Sequence, residues 1–190
     1  LNAHLGNVDA NIERLAKARE SAASQGADMI VMPEMYLSGY PCDDLVLRPD
    51  FMVRIATGID ELTALTADGG PAIVVGAPYA KDGKIYNSVF VLERGEQVAR
   101  RDKVNLPNYG VFDDKRNFTP GDLPGPIMLR GLKIGFPICE DIWEQDVVEC
   151  LEESGADLIV AINASPFDSS KLERRMLTAV ARTVESNLPL

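Results

Sequence analysis

Short apolar runs at residues 28–32, 72–76, 87–92, 132–138 and 157–162 are separated by stretches in which apolar residues recur every three to four positions. A short apolar run bounded by turn residues fits a buried strand, whereas a 3.6-residue recurrence fits a helix with one apolar face. The helical stretches are residues 8–25, 51–67, 142–153 and 171–186; in the first, Val8, Ile12, Leu15, Ala16 and Ala22 share a face and Gly26 ends the pattern. Strands alternating with helices fold into α/β layers, because the helices must cover the sheet faces. An antiparallel pair is expected between residues 87–92 and 97–101 across Arg94-Gly95. With 190 residues, 46% of them hydrophobic, one α/β domain with a sizeable core accounts for the chain. The turn-rich stretch 107–126 is long for a connection and reads as a candidate functional loop.

Charge and cysteine usage narrow the function. A formal net charge of -10 and a pI near 4.6 repel polyphosphate backbones, and no segment clusters Lys and Arg with aromatics, so nucleic acid is not an expected partner. No apolar run approaches the roughly 20 residues of a membrane helix, and no membrane partner is expected. Cys42, Cys139 and Cys150 are odd in number and lack paired spacing, which points away from a disulfide framework or a metal site and toward reduced thiols in a cytoplasmic protein. Residue 1 is not Met, and the chain stops at Asn187-Leu188-Pro189-Leu190, where an apolar strand is due. The expectation is a partial domain, truncated at both ends.

Chemistry could reside in three segments. In LKIGFPICEDIWE, residues 132–144, Cys139 stands where a strand gives way to a helix expected from about residue 140. Ligands bind at the carboxyl ends of strands in α/β sheets, and helix N-terminal N–H groups would favour a thiolate. The single histidine, His4, lies near the start, so a Cys-His pair is not expected and a carboxylate base takes its place. Glu34 in MIVMPEMYLSGY follows a strand end in apolar surroundings that would lift it toward the range of a general base. Lys103, at the end of the hairpin, could hold a developing oxyanion. For each residue alone the bland alternative stands: a buried inert cysteine, a solvated glutamate, a solvated lysine. Cys42 and Cys150 are read as structural.

Glu34 in PEMYLSGYPCDDL, Lys103 in KVNLPNYGVFDDKRNFTPG and Cys139 in GFPICEDIWE occur in the order and context of the nitrilase superfamily, which the chain resembles over nearly its whole length. LPNYGVFD, CEDIW and NASPF are most similar to the amide-hydrolysing domain of glutamine-dependent NAD synthetases. The resemblance implies a four-layer α-β-β-α sandwich with Glu34, Lys103 and Cys139 as catalytic residues and glutamine as substrate. It also implies a glutamine pocket lined by Tyr109 and Phe112, with Glu140 and Trp143 at the helix start and Ser165 and Phe167 opposite; Lys171, Arg174 or Arg175 could meet a substrate carboxylate. No metal or cofactor is implied in this domain. ATP, Mg and deamido-NAD would be needed only at a synthetase domain of the same parent chain, whose phosphate-loop motif this sequence lacks. A homo-oligomer is implied as well. Asp114 replaces the glutamate that the family often places there and is expected to reach less far. The alternatives are a stand-alone amidase or carbamoylase on another small amide, or a non-catalytic fragment.

Overall fold

The computed structural model describes residues 2–166 and 171–190. Helices α1 (Val8–Ser24) and α2 (Pro49–Leu65) flank strand β1 (Met29–Val31) in sequence, and β2 (Ala72–Lys81), β3 (Lys84–Glu93) and β4 (Glu96–Asp102) follow as a meander. One sheet has the order β1-β2-β3-β4, parallel between β1 and β2 and antiparallel beyond. After the short helix α3 (Asp114–Asn117), strands β5 (Ile127–Leu129), β6 (Leu132–Gly135) and β7 (Leu158–Ile159) form a second sheet, with α4 (Asp146–Glu153) crossing between β6 and β7 and α5 (Lys171–Ser186) following.

The period-2 alternation of β2 sorts the layers. Ile73, Val75 and Ala77 face α1 and α2, where Ile12, Leu15, Ile55, Ile59 and Leu62 pack on them. Ala72 and Val74 point the other way and, with Val89 and Val91 of β3, meet Ile127, Leu129 and Ile134 of the second sheet and Phe136 just past β6. Val148 of α4 packs with Ile159 of β7, and Leu151 lies against Gly135 of β6, so that α4 covers the far side of that sheet. The result is the expected α-β-β-α sandwich, and β2 is apolar along both faces because it is covered on both. Truncating Ile73, fully buried between β2 and the helices, would cost about 2–5 kcal/mol.

Several strands run longer than their apolar segments. β2 continues from residue 76 to Lys81 and turns into β3 at Asp82-Gly83, both residues having positive φ (52° and 74°). Arg94-Gly95 and Arg130-Gly131 repeat this pair of positive angles at the β3–β4 and β5–β6 hairpins. Two consecutive left-handed residues match the strand twist, and glycine at the second accepts the conformation without a Cβ penalty. The β5–β6 hairpin is not apparent from hydropathy, because Met128 and Lys133 face solvent. The helix expected from residue 142 is two pieces, a 3-10 turn at Cys139–Ile142 and α4 from Asp146.

Candidate active site

Glu34, Lys103 and Cys139 come from loops that leave the carboxyl ends of β1, β4 and β6 and converge between the sheets. The Glu34 loop rests on β2 at Gly76. A Cβ there would collide with Met35 N and lie 2.7 Å from Pro33 O and 2.8 Å from Glu34 C, so only glycine permits the approach. Gly76→Ala is expected to cost about 3 kcal/mol and to lower the thermal midpoint by roughly 6–12 °C in calorimetry; a shift under about 2 °C would mean the loop gives way freely.

Glu34 is 2% exposed, and its surroundings differ from the apolar setting expected. Lys103 Nζ and Asn87 Nδ2 each donate to its Oε1 at 2.8 Å, and the Ala164 N–H donates to Oε2 at 3.0 Å. Lys103, 1% exposed, also donates to Asp114 Oδ2 at 2.7 Å. Asp114 therefore reaches the site despite its shorter side chain: α3 carries it inward, its N–H held by Pro107 O at 3.2 Å, and the Tyr40 hydroxyl donates to its Oδ1 at 3.1 Å. Burial alone would depress Lys103, but the Glu34 and Asp114 carboxylates outweigh it and hold the ammonium above the ordinary lysine range.

Cys139 begins the 3-10 turn with φ 49°, a conformation unusual for a residue with a Cβ, and its N–H is tied to Ile162 O at 2.8 Å. No α-helix N-terminus stands behind it, because one 3-10 turn separates it from α4. The sulfur lies 3.3 Å from Ser165 Oγ. Burial first, then the Glu34 charge, push the Cys139 thiol up to about 12, with Lys103 and Ser165 pulling the other way. The favoured thiolate expected from a helix dipole is thus corrected to a resting thiol beside a carboxylate. Because ionisation is remote at neutral pH, carbamidomethylation of Cys139 should be slower than that of the more exposed Cys150 at about pH 7.5 and rise roughly tenfold per pH unit toward pH 10, read by peptide mass spectrometry.

The expected pocket residues divide. Tyr109 donates to Glu140 Oε1 and Oε2 at 2.8 and 3.0 Å, and with Trp143 these residues line a cleft of about 1260 Å³. Burial, opposed by the Tyr109 hydroxyl, raises the Glu140 carboxyl; burial and Glu140 in turn push Tyr109 up to about 12. Phe112 is buried edge-on against Tyr109, with ring centroids 5.6 Å apart, and supports this wall instead of forming it. A second cleft of about 620 Å³ runs past Trp143, Ala164 and Ser165. Arg174 stands 5.9 Å from the Trp143 ring and Arg175 donates to Ser165 O at 3.3 Å, whereas Phe167 and the Lys171 side chain lie outside the described residues. Cys42 packs with Met35 and Val46, and Cys150 Sγ lies 3.8 Å from Pro124 O, which gives both the structural surroundings expected.

Sequence reasoning missed Asn87, Tyr40 and Asp141. Asn87 carried a legible signal, a fully buried amide beside the apolar run of β3, since a polar group in a core strand must have a partner. Among the described residues, no three or more His, Cys, Asp and Glu are grouped to hold a metal ion, and no helix is long and apolar enough to cross a membrane.

The family model for carbon-nitrogen hydrolases matches residues 2–190. The chain belongs to the carbon-nitrogen hydrolase family. Within this family it is 38% identical over 190 residues to a glutamine-dependent NAD(+) synthetase of Rhodobacter capsulatus, covering all of this chain and 34% of that protein. It is 40% identical over 172 residues to the Aquifex aeolicus protein of the same name, covering 90% of this chain and 30% of that protein. The chain thus spans about a third of the length of the curated relatives it matches. The solved glutamine-dependent NAD+ synthetase of Acinetobacter baumannii superposes with a TM-score of 0.89 at 33% identity, over 99% of this chain and 35% of that one. An amidase from Nesterenkonia sp., at 24% identity and a TM-score of 0.85 over 98% of this chain and 70% of that one, shares the fold.

Proposed function

We propose that this carbon-nitrogen hydrolase cleaves the side-chain amide of glutamine through a thioester on Cys139, and that the ammonia feeds ATP-dependent amidation of deamido-NAD at a synthetase site. The observation that carries the reading is the buried Lys103 ammonium, bridging Glu34 and Asp114 beside the Cys139 thiol. Glu34 takes the thiol proton as sulfur attacks the amide carbon. Two of the three Lys103 N–H bonds are engaged by carboxylates, and the third stabilises the oxyanion. The C–N bond breaks as Glu34 returns its proton to the leaving nitrogen, and ammonia departs. Water, deprotonated by Glu34, then attacks the thioester; the C–S bond breaks, the thiol is reprotonated and glutamate leaves. Cysteine, carboxylate, ammonium and water account for every proton, so the step uses no metal or cofactor; ATP, Mg and deamido-NAD act only in the synthetase reaction.

Glutamine, rather than another amide, is favoured by the name the relatives share and by the charged groups around Trp143: the Glu140 carboxylate at the larger cleft suits an α-ammonium, and Arg175 at the second cleft, or Arg174 beside the Trp143 ring, suits an α-carboxylate. A homo-oligomer is supported by α5, which exposes Leu172, Met176 and Val184 at 76%, 62% and 75%. The three unpaired cysteines accord with a cytoplasmic setting. The test is labelling by a glutamine analogue carrying a diazoketone. Cys139 should be modified, excess glutamine should block the reaction, and Cys42 and Cys150 should stay unlabelled; no labelling of Cys139 would remove glutamine as the substrate.

A further inference from the structure

Lys103 and Cys139 follow strands of different sheets, β4 and β6, so some interaction has to set the distance between them. Asp141, 1% exposed, is placed to do so. Its Oδ1 accepts the N–H groups of Val104 at 3.1 Å and Asn105 at 2.8 Å, the two residues that follow Lys103. Its Oδ2 accepts the N–H of Ile138, the residue before Cys139, at 2.9 Å. One carboxylate therefore clamps the backbone of the lysine loop to the backbone of the cysteine turn. The turn is closed further by the Asp141 N–H donating to Ile138 O at 3.1 Å. Burial raises the Asp141 carboxyl to about 6 against the pull of these three N–H groups, so it takes a cost to keep it there. A neutral side chain could fill the same volume without that cost.

We propose that Asp141 is a positioning residue for the hydrolysis, holding the Lys103 ammonium at a fixed distance from the Cys139 sulfur by bridging their backbones. The proposal rests on the glutaminase reading for its kinetic effect, but not for its geometry. An amide at 141 presents one acceptor and turns an NH2 group toward an N–H, so the clamp opens on one side. The oxyanion and the thiolate then lose a fixed positive charge, while the cleft wall of Tyr109, Glu140 and Trp143 stays in place.

The test uses the 190-residue chain and its Asp141→Asn variant, with Asp141→Ser as a second variant should the amide not fold. Val147→Ala, which loosens the α4 core on which Val104 also packs but leaves the Asp141 carboxylate and its three N–H bonds in place, is the control for a general loss of stability and of packing around the lysine loop. Asp141→Asn is expected to lower kcat for glutamine about 10–100-fold with KM within about threefold, whereas Val147→Ala leaves kcat near wild type. Independently of glutamine, carbamidomethylation of Cys139 at about pH 9 should slow at least threefold in Asp141→Asn, with Cys150 unchanged, because the thiolate loses its ammonium partner. An unchanged or faster Cys139 rate would overturn the proposal, faster meaning that the turn has merely loosened its cover. A kcat fall matched by Val147→Ala would overturn it as well. If the wild-type chain alkylates at Cys139 but does not hydrolyse glutamine, the substrate reading falls and the alkylation comparison still decides the role of Asp141.

Discussion

Replacing Glu34 by glutamine is expected to lower glutamine hydrolysis by about 10³-fold or more, since the carboxylate beside the Cys139 thiol is removed as a base while its shape is kept. The Gln oxygen can still accept from Lys103 Nζ and Asn87 Nδ2, but its NH2 faces the Ala164 N–H, a mismatch worth about 1–3 kcal/mol. The variant should therefore fold, with Lys103 still paired to Asp114. Ammonia release measured beside thermal melting separates the two effects. Activity within about tenfold of wild type would show that another group takes the thiol proton.

Lys103→Met should give the largest loss of stability. The lysine is nearly inaccessible, as are both its carboxylate partners, so deletion leaves two buried negative charges facing each other at a cost of about 3–5 kcal/mol, or roughly 6–20 °C of thermal midpoint. Adding Asp114→Asn should recover part of this loss; a double variant no more stable than Lys103→Met would show that the lysine stem, not its charge, supports the core.

That Glu34, Lys103 and Cys139 lie at strand ends was legible because Glu34 and Cys139 follow apolar runs and Lys103 ends the hairpin strand β4, and because the surrounding motifs resemble those of one family. The environment of each member was not. Glu34 reads as a carboxyl among Met, Tyr and Leu, yet its three donors come from residues 87, 103 and 164, far away in the chain. Asp114 seemed one methylene short, a judgement that depends on where α3 begins, and it meets Lys103 directly. The helix expected at Cys139 is a single 3-10 turn, and a pattern of apolar spacing does not distinguish the two over so few residues.

What the sequence determined by itself is the α/β class with buried strands and the cast of reactive groups, the four-layer sandwich being implied by the family resemblance: an apolar run such as that of β2 requires cover, and a buried strand must be followed by a loop at its carboxyl end. What only the tertiary structure decided is the state of those groups. Whether a thiol rests protonated, a lysine stays charged or an aspartate spans two loops depends on burial and on partners tens of residues distant. Charge interactions act through space over a few ångströms, and only the packed sheets bring those atoms within that range.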